Sequence, residues 1–62
     1  MKPAVKLSYK DCRNVLQSAN FAPEHEKAKM ELVDELSEIY EGFYVYTPAD
    51  LLELPEVAMY LN

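Results

Sequence analysis

Pro23 and Gly42 bracket the stretch of this chain whose fold is most tightly constrained. Proline has no backbone N–H and a fixed φ, so it suits the first position of a helix, where that donor would be unpaired anyway. Glycine takes the left-handed conformation that closes a helix without steric cost, and Gly42 is the chain's single glycine. Between them, Glu24 and Glu26 stand in the first turn, where the helix dipole favours negative charge. The spacing predicts a long central helix over about residues 23–41, against which the remainder of a 62-residue chain must pack.

A chain of this length buries only roughly 60% of the surface it exposes when unfolded, so its stability is marginal. With one cysteine (Cys12) and one histidine (His25), neither a disulfide framework nor a structural zinc site can form within one chain. Helix packing or self-association must supply what is missing.

At about 100° per residue, the central helix places Leu32, Val33, Leu36, Ile39, Tyr40 and, at its end, Phe43 on one face. Glu31, Asp34, Glu35, Glu38 and Glu41 occupy the opposite side. His25 and Lys29 fall on the continuation of the apolar stripe, so the first turns either project past the core or pack through lysine methylenes. Extending the helix beyond Gly42 would put Val45 in the acidic face, so the pattern stops there.

The flanks repeat the same grammar. Ser8 followed by Asp11 reads as a capping box, and Cys12, Val15, Leu16 and Ala19 then recur at helical spacing, giving a first helix from Tyr9 to Ser18. Phe43 to Thr47 is aromatic and β-branched, and its natural partner is the alternating segment Val5 to Tyr9. Thr47-Pro48-Ala49-Asp50 starts a further helix of about six residues by the usual cap, proline and acid order. Pro55 ends that helix and opens a last short turn, Glu56 to Leu61. The expected fold is mainly α: one small domain over residues 1–62, three to four helices with the long one at 23–41, and a two-stranded ribbon from 4–9 and 43–47 as the α+β variant. Leu51, Leu52, Leu54, Val57, Met59 and Leu61 either close the core or meet another chain.

Charge is distributed unevenly. The net charge is −5, yet residues 1–29 hold all six bases (Lys2, Lys6, Lys10, Arg13, Lys27, Lys29) against three acids, and residues 30–62 hold eight acids and no base. Glu31–Glu35 and Asp34–Glu38 are like-charge pairs at i, i+4, and Glu31–Asp34, Glu35–Glu38 and Glu38–Glu41 at i, i+3. Each costs an exposed helix about 0.2–0.5 kcal/mol. Lys27 to Glu31 is the one opposite pair this spacing offers.

These features exclude more than they assign. A mean acidic field repels phosphate and anionic lipid, so neither direct nucleic-acid binding nor membrane binding is expected. The N-terminus has a lysine every four residues and no apolar core of an export signal, and the longest apolar run, Val57 to Leu61, cannot span a bilayer. A complete small cytoplasmic protein with Cys12 reduced is the expectation. Cys12 sits on an apolar face without a histidine beside it and reads as a small buried hydrophobe, and His25 as a surface residue. One glycine rules out Gly-rich phosphate loops, and the carboxylates lack the Glu-x-x-His spacing of bundle metal sites. No catalytic residue, cofactor or metal is expected, and the protein is not read as an enzyme. The element from Thr47 to Leu61 carries only acidic charges, unlike a DNA-recognition helix.

The expected function is therefore protein binding. Glu31, Asp34, Glu35, Glu38 and Glu41, with Tyr44 and Tyr46 beside them, form a face that modulates or inhibits a partner by docking on its basic, nucleic-acid-binding surface. Class analogy adds the expectation of a phage or mobile-element protein that obstructs a host nucleic-acid enzyme, as a nucleic-acid mimic. One alternative is a self-assembling homodimeric or structural subunit using Leu51, Leu52, Val57, Met59 and Leu61. A second is a small transcriptional regulator using the basic N-terminal half.

Overall fold

The computed structural model of the chain describes residues 3–62. Met1 and Lys2, the latter the first of the six bases, lie outside the described residues. Helix α1 spans Tyr9–Gln17 and begins on the expected capping box: Ser8 Oγ accepts the Asp11 N–H at 3.0 Å, and the Asp11 carboxylate accepts the Ser8 N–H at 3.3 Å. Ser18 is its C-cap. Two otherwise unpaired donors of the helix start are thereby satisfied.

The long central helix is present but has two parts. Pro23–Ala28 is a 3-10 helix that runs directly into α2, Lys29–Tyr40. Ala22 precedes Pro23 and offers no side-chain cap, so the first donors turn to tight i to i+3 bonds, as in His25 N–H to Ala22 C=O at 2.9 Å. No residue of Pro23–Ala28 is buried, so no apolar face demands α-helical spacing there. Lys29 and His25 nevertheless make contacts, through the ammonium and the imidazole ring rather than through lysine methylenes. The Lys29 ammonium lies 5.3 Å from the Phe21 ring centroid and donates to the Ala19 carbonyl at 3.3 Å, and His25 sets its ring edge-on to Tyr60 at 5.1 Å. His25 is thus half-buried, and the surface assignment is corrected.

Gly42 ends the central helix with φ at +87°, and its N–H donates to the Leu7 carbonyl at 2.7 Å. That bond brings Phe43 back alongside Leu7 and starts the ribbon. Strands β1 (Val5–Lys6) and β2 (Tyr44–Val45) pair antiparallel with Val5 opposite Val45 and Lys6 opposite Tyr44, and Leu7 N–H to Phe43 C=O at 2.8 Å extends the ladder. The pairing is shorter than 4–9 with 43–47 because capping captures both ends. Ser8 belongs to the α1 cap, and the Asp50 carboxylate accepts the N–H groups of Tyr46 and Thr47 at 3.1 Å each. Pro48–Glu53 forms a second 3-10 helix and Pro55–Ala58 a single turn, α3. The C-terminus is then stitched to the loop after α1: Leu61 bridges Phe21, Ala22 N–H reaches Tyr60 C=O and Asn62 N–H reaches Asn20 C=O, both at 2.9 Å.

The core comprises Leu7, Cys12, Leu16, Ala19, Phe21, Val33, Leu36, Tyr40, Leu51 and Val57. Helix α1 packs against α2 and also against Pro48–Glu53. Two expected core positions are corrected. Ile39 is 59% exposed and Phe43 49%, the latter keeping only an edge-on contact with Tyr40 at 5.0 Å. The buried face of α2 is instead Val33, Leu36, Ser37 and Tyr40, rotated toward Ser37. Ser37 is fully buried there, its hydroxyl without a hydrogen-bond partner among the described residues.

Two substitutions test this packing. Leu51→Ala is expected to cost about 2–5 kcal/mol, a large part of what so small a domain possesses. Ser37→Ala is expected to raise stability by about 0.5–1.5 kcal/mol, since it deletes an unpaired buried hydroxyl and improves helix propensity. Urea unfolding followed by circular dichroism reads both.

Candidate functional site

The five acids expected on one face divide into two groups. Glu31, Glu35 and Glu38 point to solvent on the side of α2 away from the core and make no ion pair among the described residues. Asp34 faces α1 and is spent inside the molecule. Its carboxylate forms a close ion pair with Arg13 and accepts a hydrogen bond from the Tyr9 hydroxyl at 3.4 Å, while the Arg13 guanidinium stacks 5.9 Å from the Tyr9 ring centroid. With both partners of the pair partly exposed, this clamp contributes about 0–1 kcal/mol, so it orients α1 on α2 more than it holds them together. Glu41 is the C-cap of α2, in extended conformation, and is exposed.

The pair expected between Lys27 and Glu31 is absent among the described residues. Lys27 lies in the 3-10 helix, whose roughly three residues per turn do not stack i on i+4. Arg13 supplies the neutralisation instead, across α1 and α2, and at Asp34 rather than Glu31. The remaining acids oppose the helix that carries them: Glu31 and Glu35 repel at i, i+4, and Glu38 and Glu41 sit at the negative end of the dipole with no base in the last turn.

Tyr44 and Tyr46 are 68% and 62% exposed; Tyr44 stands in β2 with Lys6 directly across and half-buried Val45 next to it, and Tyr46 follows the strand. Sequence reasoning missed Ile39 as a member of the exposed surface. It stands between the acidic side and the core and is 59% exposed. Also missed was a groove of about 250 Å³ between α1 and the start of α2, beside Met30, which is 81% exposed.

The apolar C-terminal set is divided. Leu51 and Val57 are wholly buried in the chain's own core, Leu52 and Leu61 are half-buried against it, and Met59 is 66% exposed. Of the basic N-terminal group, Arg13 is engaged by Asp34, whereas Lys6 and Lys10 are exposed. Among the described residues no three His, Cys, Asp or Glu side chains converge on a point that could hold a metal ion, and no helix is long and apolar enough to cross a membrane. Comparison of the chain with protein-family models, with curated proteins and with solved structures finds no match.

Two buried groups are titratable. Burial pushes the Cys12 thiol above its ordinary 9.0, with the charges of Asp11 and Glu41 adding to the shift. Burial likewise raises Tyr40 above 10.0, helped by Glu56. Both groups are neutral when protonated, so the unfolded chain loses these protons at lower pH than the folded one. Stability is complete below the unfolded values and falls as pH rises through and beyond 9.0 and 10.0 toward the raised folded values. Urea midpoints measured across that range are expected to decline, and the decline is expected to be shallower in Cys12→Ala and in Tyr40→Phe.

Proposed function

We propose that the solvent face of α2 is a docking surface for a partner protein with a basic, nucleic-acid-binding surface, and that the chain modulates or inhibits that partner by occupying it. The observation that carries this reading is that Glu31, Glu35 and Glu38 stay unpaired and exposed in a domain too small to carry their repulsion without loss. A partner's lysines and arginines would relieve that repulsion and gain charge complementarity. Carboxylates along one helix face would take the positions that phosphates otherwise hold. Exposed Ile39 beside them offers an apolar contact that salt does not weaken, and Tyr44 and Tyr46 offer rings with a polar tip at the end of the face. Glu41 belongs to the face as its rim; Asp34 supports it from within.

The face makes opposite demands on stability and binding, and that opposition is testable. Glu31→Lys, Glu35→Lys and Glu38→Lys together are expected to leave the helical spectrum unchanged while abolishing capture of the partner. Glu35→Lys alone is expected to raise stability by about 0.5–1 kcal/mol at low salt, because it replaces a repulsive i, i+4 pair with an attractive one and removes a second repulsion at i, i+3. The partner is identified by affinity capture from the native cell and mass spectrometry. It is then expected to bind the wild-type chain in competition with nucleic acid, with an affinity that falls steeply as salt rises. Undiminished binding by the triple variant would overturn the proposal.

A further inference from the structure

The 3-10 segment Pro23–Ala28 is long for its kind. Its six residues exceed the roughly three or four that this geometry ordinarily sustains, because 3-10 hydrogen bonds are poorer than those of an α-helix. The composition does not ask for it, since Glu24, Glu26, Lys27 and Ala28 are good α-helix formers. Nor does the core, since no residue of the segment is buried. What restrains the segment is its far end. The Ala22 N–H donates to the Tyr60 carbonyl at 2.9 Å, and the Tyr60 ring meets His25 edge-on with centroids 5.1 Å apart. Tyr60 is itself held, because Leu61 bridges Phe21 and the Asn62 N–H donates to the Asn20 carbonyl. Rising about 2.0 Å per residue instead of about 1.5 Å, the segment is about 3 Å longer than the α-helix the same residues would make. Fastened to Tyr60 at one end and continuous with α2 at the other, it is kept stretched.

We infer that Pro23–Ala28 is a convertible start of α2, held in 3-10 form by Tyr60 and turning α-helical when the acidic face is occupied. Conversion lengthens that face. At about 100° per residue, Glu24, Glu31, Glu35 and Glu38 share an arc of about 60°, whereas at about 120° per residue between Glu24 and Lys29 the first of them is turned about 100° away. The same change sets Lys27 one α turn before Glu31, where the two attract, and swings His25 off the Tyr60 ring. A basic partner that reaches Glu24 only in the α form binds that form better, and this difference in affinity drives the conversion. The trigger rests on the docking role proposed for α2; the convertibility of the segment does not.

The test follows the whole isotope-labelled chain by NMR, free and with a hexa-arginine peptide standing for the basic partner. Nuclear Overhauser contacts from Hα to the amide four residues on mark α geometry, and those to the amide two residues on mark 3-10 geometry. In the free chain residues 24–28 are expected to show the 3-10 contacts. Tyr60→Phe, which keeps the ring, is expected to preserve them. Tyr60→Ala and, separately, His25→Ala are expected to replace them with α contacts while the shifts of α1 and the rest of α2 persist, which reports an intact fold. The peptide is expected to induce the same α contacts in the wild-type chain. Glu24→Gln is expected to weaken the peptide about threefold, the scale of an exposed ion pair, and Glu53→Gln, at an exposed acid outside α2, to leave it unchanged. Persistence of 3-10 contacts in both released variants, or in wild-type chain whose Glu31, Glu35 and Glu38 are shifted by the peptide, would overturn the inference and leave the docking role standing. So would α contacts in the free wild-type chain, or full affinity in Glu24→Gln. A peptide that leaves Glu31, Glu35 and Glu38 unshifted would overturn the docking role, and the released variants then decide the convertibility by themselves.

Discussion

Cys12 and Leu16 are fully buried because α1 carries a packed element on each of two sides, α2 on one and the Pro48–Glu53 turn on the other. The rest of the architecture depends on that short helix. Its N-terminus is held by the Ser8–Asp11 cap, which also fixes where β1 ends, and the loop beyond its C-terminus carries Phe21, to which the last residues of the chain are bridged. A helix of nine residues is too short to be stable alone in water, so α1 exists only because its neighbours cover it. They in turn have no shared core without it.

The second constraint is electrostatic, and it is resolved in only one place. Arg13 reaches from α1 to Asp34 and neutralises the one acid of α2 that faces another helix. Removing Asp34 from the repulsive set leaves fewer like-charge pairs than a count along the helix suggests, and it concentrates what remains on Glu31, Glu35 and Glu38. Surface pairs of this kind add little stability. The clamp ties the Asp34 side of α2 to α1, and Glu31, Glu35 and Glu38 lie on the side that faces solvent.

Caps and breakers were legible in the residues. Ser8 with Asp11, Pro23, Gly42, and Thr47 with Pro48 and Asp50 act through short-range hydrogen bonds and fixed dihedrals, so their positions follow from local chemistry. The ribbon was legible for the same reason, since Gly42 and alternation leave Phe43 to Thr47 few other partners. Rotation was not. Ile39 and Ser37 lie on opposite borders of the apolar stripe, and hydrophobicity alone assigns Ile39 inward and Ser37 outward. The structure reverses both: Ser37 is fully buried and Ile39 is 59% exposed. Nor could periodicity anticipate the 3-10 start of the central helix, which follows from the missing cap at Ala22 and the absence of any buried residue within Pro23–Ala28.

The same rotation governs the candidate site. Turning α2 toward Ser37 carries Asp34 against α1 and lifts Ile39 out beside Glu35, so an apolar side chain joins the acidic face on one border while a groove opens near Asp34 on the other. A face made only of carboxylates would attract any basic surface and orient none, because Coulomb attraction in water varies slowly with position. Exposed Ile39 on one border and exposed Met30 on the other set apolar side chains beside the carboxylates, where contact energy depends steeply on position. The unpaired Ser37 hydroxyl is buried by that same placement, at a cost in stability to a domain with little to spare.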